Sequence, residues 1–197
     1  MPIEKPAPAI LRTGKRVYLR HPIPQDREEF LAMVRASRRY HRPWVYPPDD
    51  QEAFSIYAAR ALTERSFYCL IRLRETDELV GVANLSEIVR GLFRSAYLGY
   101  YGNVLQEGQG LMKEGVGLLI RHAFQTLDLH RIEANIQPGN TSSLRLVRAL
   151  GFRKEGFSPR YLKLGGKWRD HERWALLVDD WKAKGGPKQG RPSRKSS

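Results

Sequence analysis

The chain has 197 residues, enough for one domain with a sizeable core and too few for two of ordinary size. With 41% hydrophobic and 10% aromatic residues it is not disordered as a whole, and a lone cysteine, Cys69, excludes an intrachain disulfide and favours a reducing cytoplasm. Against 21 acids stand 34 lysines and arginines, and the net charge of +13 points toward polyanions: nucleic acid, a phosphorylated cofactor or an anionic membrane. No apolar run has the length of a signal peptide or a membrane span, so the chain is expected to be soluble.

In chain order, residues 1–14 carry three prolines and are expected to be a flexible lead. RVYLR, at 16–20, alternates Val17 and Leu19 with polar neighbours and predicts a short strand. Asp26 opens a predicted helix, QDREEFLAMVRASR, whose early acids suit a helix N-terminus and whose Phe30, Met33 and Val34 keep helical spacing. Pro43, Pro47 and Pro48 then break regular structure before a second helix, expected from Asp50 to Arg65. FYCLIRL, ELVGVANLSEIV and SAYLGYY read as three strands of an antiparallel meander.

The period changes after LQEGQG: Val116, Leu119, Ile120, Ala123, Phe124 and Leu127 predict a strongly amphipathic helix. RIEANIQ alternates Ile132, Ala134 and Ile136 against polar residues and predicts a strand. NTSSLRLVRALGF supplies a capped helix with Leu144, Val147 and Leu150 on one face and Gly151 as its stop. Two last strands, about Tyr161 to Leu164 and Arg173 to Val178, are expected to flank GGKWRD. From Lys182 onward there are six basic residues and no acid, which predicts a basic disordered tail over 183–197; thirteen less six leaves +7 on the remainder. The expected fold class is α/β of the α+β kind, one domain over 15–182 built around one sheet.

The most informative local text is EGQGLMKEGVGLLIRHAF, where Gly108 and Gly110 stand between a strand and the start of the best helix. Glycines there let backbone N–H groups approach an anion, and the helix dipole favours negative charge. A Walker loop would need Gly-Lys-Ser/Thr and a dinucleotide fingerprint a third glycine where Lys113 stands, so neither applies.

Strands, a Gly-x-Gly loop opening a long helix, a strand ending in Pro-x-Asn-x-x-Ser and a helix closing on Gly-Phe together resemble the GCN5-related N-acetyltransferase (GNAT) superfamily. GVANLSEIVRG, AYLGYYGNVLQEGQGLMKEG, LHRIEANIQPGNTSSLRLVRALGFRKEG and GGKWRDHERWAL resemble its RimJ/RimL branch, the ribosomal-protein-alanine N-acetyltransferases, over about residues 15–182. The resemblance implies a mixed, mostly antiparallel, V-shaped splayed sheet that holds acetyl-coenzyme A in its opening. Gly108, Gln109, Gly110, Leu111 and Met112 would cradle the pyrophosphate, while Gly102, Asn103 and Asn140 would hold the pantetheine arm. Glu107 stands where the family usually has Gln or Arg and is expected to point to solvent.

Acetyl transfer to an amine needs a neutral nucleophile, donors for developing negative charge and a proton for the leaving thiolate. An α-amine with a pKa of about 7.7–8.0 is roughly a third neutral at pH 7.5, which spares ~3–4 kcal/mol of deprotonation relative to a lysine amine near 10.4. The family pattern makes Ser143 the candidate general acid. Glu87, at a strand end, is the candidate base; Glu114 and Glu133 fit the pattern but suit structural roles, and Tyr161 is an alternative acid. Trp44, Tyr161 and Trp168 are expected on the acceptor side. The five histidines show no metal spacing and no metal is expected, and Cys69 reads as an inert core thiol. The expected partners are acetyl-coenzyme A and a protein N-terminus, that of a ribosomal protein first, with ribosomal RNA contact through the basic tail and no membrane. A small amine or antibiotic as acceptor, and a ribosome-assembly factor with lost acetylation, are the alternative readings.

Overall fold

A computed structural model describes residues 9–185, and its architecture follows from how the strands bury their two faces. Strands β1 (Ile10–Thr13), β2 (Val17–Arg20), β4 (Ser66–Leu73), β5 (Leu79–Val89) and β6 (Ser95–Gly102) pair antiparallel in that order, with the two-residue β3 (Leu62–Thr63) beside β4. Strand β7 (Arg131–Ile136) joins β6 in parallel, and the long hairpin of β8 (Arg153–Leu164) and β9 (Lys167–Leu177) completes the order β6-β7-β9-β8. The helices are α1 (Arg27–Ala36), α2 (Arg38–His41), α3 (Gln51–Ala59), α4 (Leu111–Gln125), α5 (Thr141–Ala149) and α6 (Val178–Ala183). This is the mixed, mostly antiparallel open sheet flanked by helices that the sequence implies.

Helices pack on both faces of β4 and β5, so those strands are apolar almost throughout instead of alternating. Phe67, Cys69 and Ile71 face α4 and α5 in one core, whereas Leu70 and Val82 meet Phe30, Phe54 and Tyr57 of α1 and α3 in the other. The periodic stripe of α4, from Val116 to Phe124, is buried against the sheet as its spacing predicts.

Four boundaries differ from the sequence reading. Ile10–Thr13 pairs with β2, so the lead is not flexible to residue 14; an exposed, four-residue edge strand carries too little apolar pattern to be read. The helix expected from Asp50 to Arg65 ends at Ala59, where the chain turns into β3 and β4. The last two strands are eleven and twelve residues long, and only Gly165 and Gly166, both at positive φ, form the turn; Trp168 and its neighbours lie inside β9. Helix α6 carries the chain through Ala183 and Lys184–Gly185 follows in a turn, so only residues 186–197 of the expected tail fall outside the described region.

Asp26 stands at the start of α1 as expected, but its carboxylate is buried and does not cap that helix. Its carboxylate pairs with Arg20, accepts the Ile23 N–H at 2.7 Å, and lies 3.6 Å from Arg72, whose guanidinium also reaches Glu29 (2.8 Å) and Asp77 (2.7 Å). Glu29 accepts the Leu79 N–H in turn, so the network ties α1 to β2, β4 and β5. Removing one member of a buried pair leaves its partner uncompensated, so Asp26→Ala should cost about 3–5 kcal/mol in denaturant unfolding; a loss below ~1 kcal/mol would contradict this role.

Burial lowers the pKa of His41, His122 and His171, that of His122 to about 4. Stability from these neutral imidazoles is complete above the unfolded value of about 6.5 and is lost as pH falls through the folded values. Hydrogen bonds from Arg131 and Lys154 hold Glu155 and Glu172 below the ordinary carboxylate range, so those groups act only at lower pH. The melting temperature should therefore fall between about pH 6.5 and 4.5. His122→Phe, which keeps the stack on Phe67, should flatten that slope, and an unchanged slope would refute the assignment.

Candidate active site

Strands β6 and β7 pair only over Ser95–Tyr97 and Arg131–Glu133, and beyond these residues they part. On its other side β6 stays paired with β5 as far as Gly81 opposite Gly102, and the Asn103 N–H donates to Val80 O at 2.8 Å. Alternation along an antiparallel ladder then turns the backbone groups of Tyr100 and Gly102 away from β5 and into the opening. The result is a short strand edge inside the molecule, able to pair with an extended amide-bearing chain.

At the end of β6 the chain makes one 3-10 turn, Val104–Gln106, and passes Gly108 (φ 77°) and Gly110 (φ 73°) before α4 begins. The first helical bond joins Glu114 N–H to Gly110 O, which leaves the N–H groups of Leu111, Met112 and Lys113 directed out of the helix start. Arg16 braces this loop, donating to Gln109 O at 2.9 Å and to Glu114 at 3.0 Å. Partial burial raises the Glu114 pKa, but hydrogen bonds from the Arg16 backbone and side chain outweigh it and the net shift is downward. Met112 lies across Gly81 and Gly102: a Cβ on Gly81 would stand 2.6 Å from its sulfur and one on Gly102 3.2 Å from its Cγ. Glycine at 81 leaves the room that Met112 occupies, and glycine at 102 adds to it.

The opening contains a pocket of about 300 Å³ walled by α2 with its following loop, by β6, and by the start of α5. Asn140 caps α5 by accepting the Ser143 N–H at 3.2 Å. The Ser143 hydroxyl is thereby not the cap, and it meets the Tyr100 hydroxyl at 2.5 Å. Burial pushes the Tyr100 phenol up to about 12, against a lowering contribution from Ser143. The imidazole of His41 hydrogen-bonds Gly102 O at 2.8 Å through Nε2. Trp44 covers Gly139, where an added Cβ would lie 3.0 Å from its ring. Outside the pocket, α4 and α5 border a groove of about 970 Å³ that carries Lys15, Arg16, Lys113, Arg121, Arg148 and Lys184, with Glu114 as its acid.

The structure thus gathers Ser143, Gly102, Met112, Asn140 and Trp44 at one pocket, with the Gly108–Leu111 loop beside it. Glu107 lines the mouth with its side chain exposed. Asn103 does not fit the role expected of it: its N–H, its Oδ1 and its Nδ2 are engaged by Val80, Leu105 and Leu79. Glu87 is not in this pocket either. It sits at a bulge with φ 47°, paired with Arg65, opposite the closed end of β6 near Ser95–Tyr97. Four residues of strand separate it from Ala83 opposite Tyr100, about 13 Å. Tyr161 neighbours Tyr97 and His171 on the outer hairpin, and Trp168 is 61% exposed there; neither lines the pocket. Glu133 pairs with Arg131 at 2.7 Å, and Cys69 is fully buried with its thiol pKa raised by desolvation. Among the described residues no three metal-binding side chains converge.

Tyr40, His41, Tyr100 and Tyr101 are polar pocket residues that the sequence reading missed. Tyr100 is one of several tyrosines in a strand and His41 stands in a proline-broken stretch; only the fold brings them to Ser143 and Gly102.

The sequence profile of the acetyltransferase (GNAT) domain matches residues 16–153. The chain belongs to this acetyltransferase family. It is 34% identical over 182 residues to the [ribosomal protein uS5]-alanine N-acetyltransferase of Escherichia coli, covering 88% of this chain and 94% of that one. It is 32% identical over 175 residues to the probable N-acetyltransferase YjcK of Bacillus subtilis, covering 85% and 97%. The structure of Mycobacterium smegmatis RimJ in complex with CoA-disulfide superposes with a TM-score of 0.77 at 28% identity, covering 83% of each chain. The basic groove beside α4 presents positive charge that an anionic ligand would meet. Charge reversal at Lys113 or Arg148 should weaken coenzyme A binding in calorimetry by about tenfold and flatten its dependence on salt; unchanged binding in both variants would place the donor elsewhere.

Proposed function

We propose that the protein transfers the acetyl group of acetyl-coenzyme A to the N-terminal α-amine of a protein chain that begins with Ala or Ser, a ribosomal protein being the first acceptor to examine. The observation that carries the reading is the Tyr100–Ser143 hydroxyl pair, set beside an unpaired strand edge and a helix N-terminus. The relatives support it: the E. coli protein is named for alanine acetylation of uS5, and the M. smegmatis protein holds coenzyme A as its disulfide. The edge at Tyr100–Gly102, apart from the Gly102 carbonyl that His41 engages, would pair with the amides of the pantetheine arm, and the N–H groups opening α4 would face the pyrophosphate.

The acceptor class follows from what the pocket offers. Its lining, among the described residues, holds one carboxylate, Glu107, at the solvent side. That is poor equipment for stripping a lysine ammonium near 10.4 and adequate for an α-amine near 8.

The single Tyr100 proton can go to the Ser143 carbonyl oxygen (3.2 Å) or to its hydroxyl oxygen, and in the second arrangement the Ser143 proton is free to face the departing sulfur. Full proton transfer from a phenol near 12 to a thiolate near 8.5 would be uphill by about 5 kcal/mol. The pair therefore acts as a hydrogen-bond donor that stabilises the leaving thiolate while the N–C bond forms and the C–S bond breaks. Ser143→Ala and Tyr100→Phe should each lower kcat by roughly 10–100-fold with coenzyme binding nearly unchanged, and the double variant should lose little more. The six basic residues from Lys182 onward would add salt-dependent attraction to ribosomal RNA phosphates.

Incubating the protein with acetyl-coenzyme A and peptides beginning with Ala, Ser or a blocked residue, followed by mass spectrometry, tests the reading. Acetylation of the free N-terminus is expected; acetylation of lysine side chains or small amines alone would overturn it.

A further inference from the structure

The turn at residues 14–16, between β1 and β2, is locked to the start of α4. Glu114, in the first turn of that helix, accepts the Arg16 N–H at 2.7 Å and the Val17 N–H at 3.4 Å, and its other oxygen takes Arg16 Nε at 3.0 Å. Glycine at 14 leaves the room this carboxylate occupies, since a Cβ there would stand 2.7 Å from Oε1. Held at Nε, the guanidinium donates through Nη1 to Gln109 O at 2.9 Å. Arg74 secures the turn from β4: its N–H donates to Arg16 O at 2.9 Å and its guanidinium to Gly14 O and Lys15 O at 3.2 Å.

Fixing that carbonyl fixes a donor as well. The 109–110 peptide is trans, so the Gln109 C=O and the Gly110 N–H point in opposite directions. With Gln109 O turned to Arg16, the Gly110 N–H is turned away from it, on the same helix start as the free N–H groups of Leu111, Met112 and Lys113. Among the described residues neither the Gln109 nor the Gly110 N–H has a protein acceptor. Gln109 stands between glycines at φ 77° and 73°, residues that permit a peptide to rotate at little cost. A rotated 109–110 peptide would present its carbonyl oxygen where an anion needs an N–H, and Arg16 is the side chain that holds the other orientation.

We propose that Arg16 is a positioning residue for the acetyl donor: clamped by Glu114, it sets the Gln109–Gly110 peptide with its N–H available to the pyrophosphate and does not itself contact the phosphates. The inference rests on the donor half of the proposed function, coenzyme A at the start of α4. A loop free to take both peptide orientations binds more weakly in proportion to the time spent in the wrong one. A plain charge effect makes the opposite demand on Glu114, because its carboxylate would then repel the phosphates that Arg16 attracts. Lys15, Lys113 and Arg121 line the same groove, so Arg16 is one positive charge among several there.

The test is calorimetry of coenzyme A and dephospho-coenzyme A, at low and high salt, with the wild type, Arg16→Met, Glu114→Ala and the double variant, alongside kcat and KM for acetyl-coenzyme A with an Ala-initiated peptide. Melting curves show that each variant is folded. Arg16→Met should weaken both ligands by the same factor, about tenfold, keep that loss at high salt, and raise KM while leaving kcat within about twofold. Glu114→Ala should also weaken binding, by about threefold, and the double variant should be no weaker than Arg16→Met because the two side chains act as one unit. Tighter binding in Glu114→Ala, or an Arg16→Met loss that high salt erases, would overturn the proposal in favour of a charge effect. A loss confined to coenzyme A would assign Arg16 to the 3′-phosphate instead, and unchanged binding in every variant, or a fall in kcat as large as the rise in KM, would also overturn it. If the wild type binds coenzyme A but acetylates no peptide, the acceptor reading fails and the binding data still decide Arg16. If the wild type binds no coenzyme A, both proposals fail.

Discussion

Three residues of β6 lie in parallel with three of β7, and everything functional here depends on that pairing being so short. A longer ladder would consume the backbone groups of Tyr100 and Gly102, and a missing one would separate β7, β8 and β9 from the rest of the sheet. Holding at Ser95–Tyr97 and parting afterwards keeps one sheet while exposing a strand edge in its interior. An exposed edge is ordinarily a hazard, but here Trp44 and its loop, α4 and α5 surround it.

What holds the two arms apart is equally specific. Met112 enters over two glycines from one side, and Asn140 fixes the first turn of α5 on the other. The loop after α2 spans the gap: Trp44 rests on Gly139, Tyr46 on Gly165, and Gln137 donates to Pro43 O at 3.4 Å. Behind α1, the Arg20–Asp26–Arg72 network ties the helices that carry His41 to the rigid half of the sheet. Placement of the imidazole against Gly102 is therefore a property of the whole N-terminal half, not of a local motif.

The elements legible in the sequence are those with a one-sided burial demand. The stripe of α4 and the alternation of β7 state their environment directly, and positive-φ glycines at 108 and 110 announce a loop that bares N–H groups. Strands β8 and β9 were underestimated because much of their surface faces solvent and shows little pattern, and β1 because an edge strand needs none. Within the site, Ser143 was named through the resemblance of its Pro-x-Asn-x-x-Ser stretch to the family. Tyr100 and His41 were not, since their chemistry comes from contacts across 43 and 61 positions of chain. Glu87 was misplaced for a related reason: distance along a strand decides which end of the splay a residue serves, and register is invisible before the strands are paired. The excess of positive charge, ambiguous as composition, resolves in part into a basic groove bordering the same helix start.

The central claim is that the unpaired edge of β6 is the seat of the acetyl donor. Amide hydrogen exchange with and without coenzyme A tests it most directly, because pairing with an extended chain protects particular backbone groups. The account predicts that saturating coenzyme A slows exchange at Tyr100, Gly102 and the first turn of α4 from Leu111 to Lys113, with little change at the closed end of β6 near Ser95. Protection confined to β8 and β9, or to the Glu87–Tyr97 end, would contradict it.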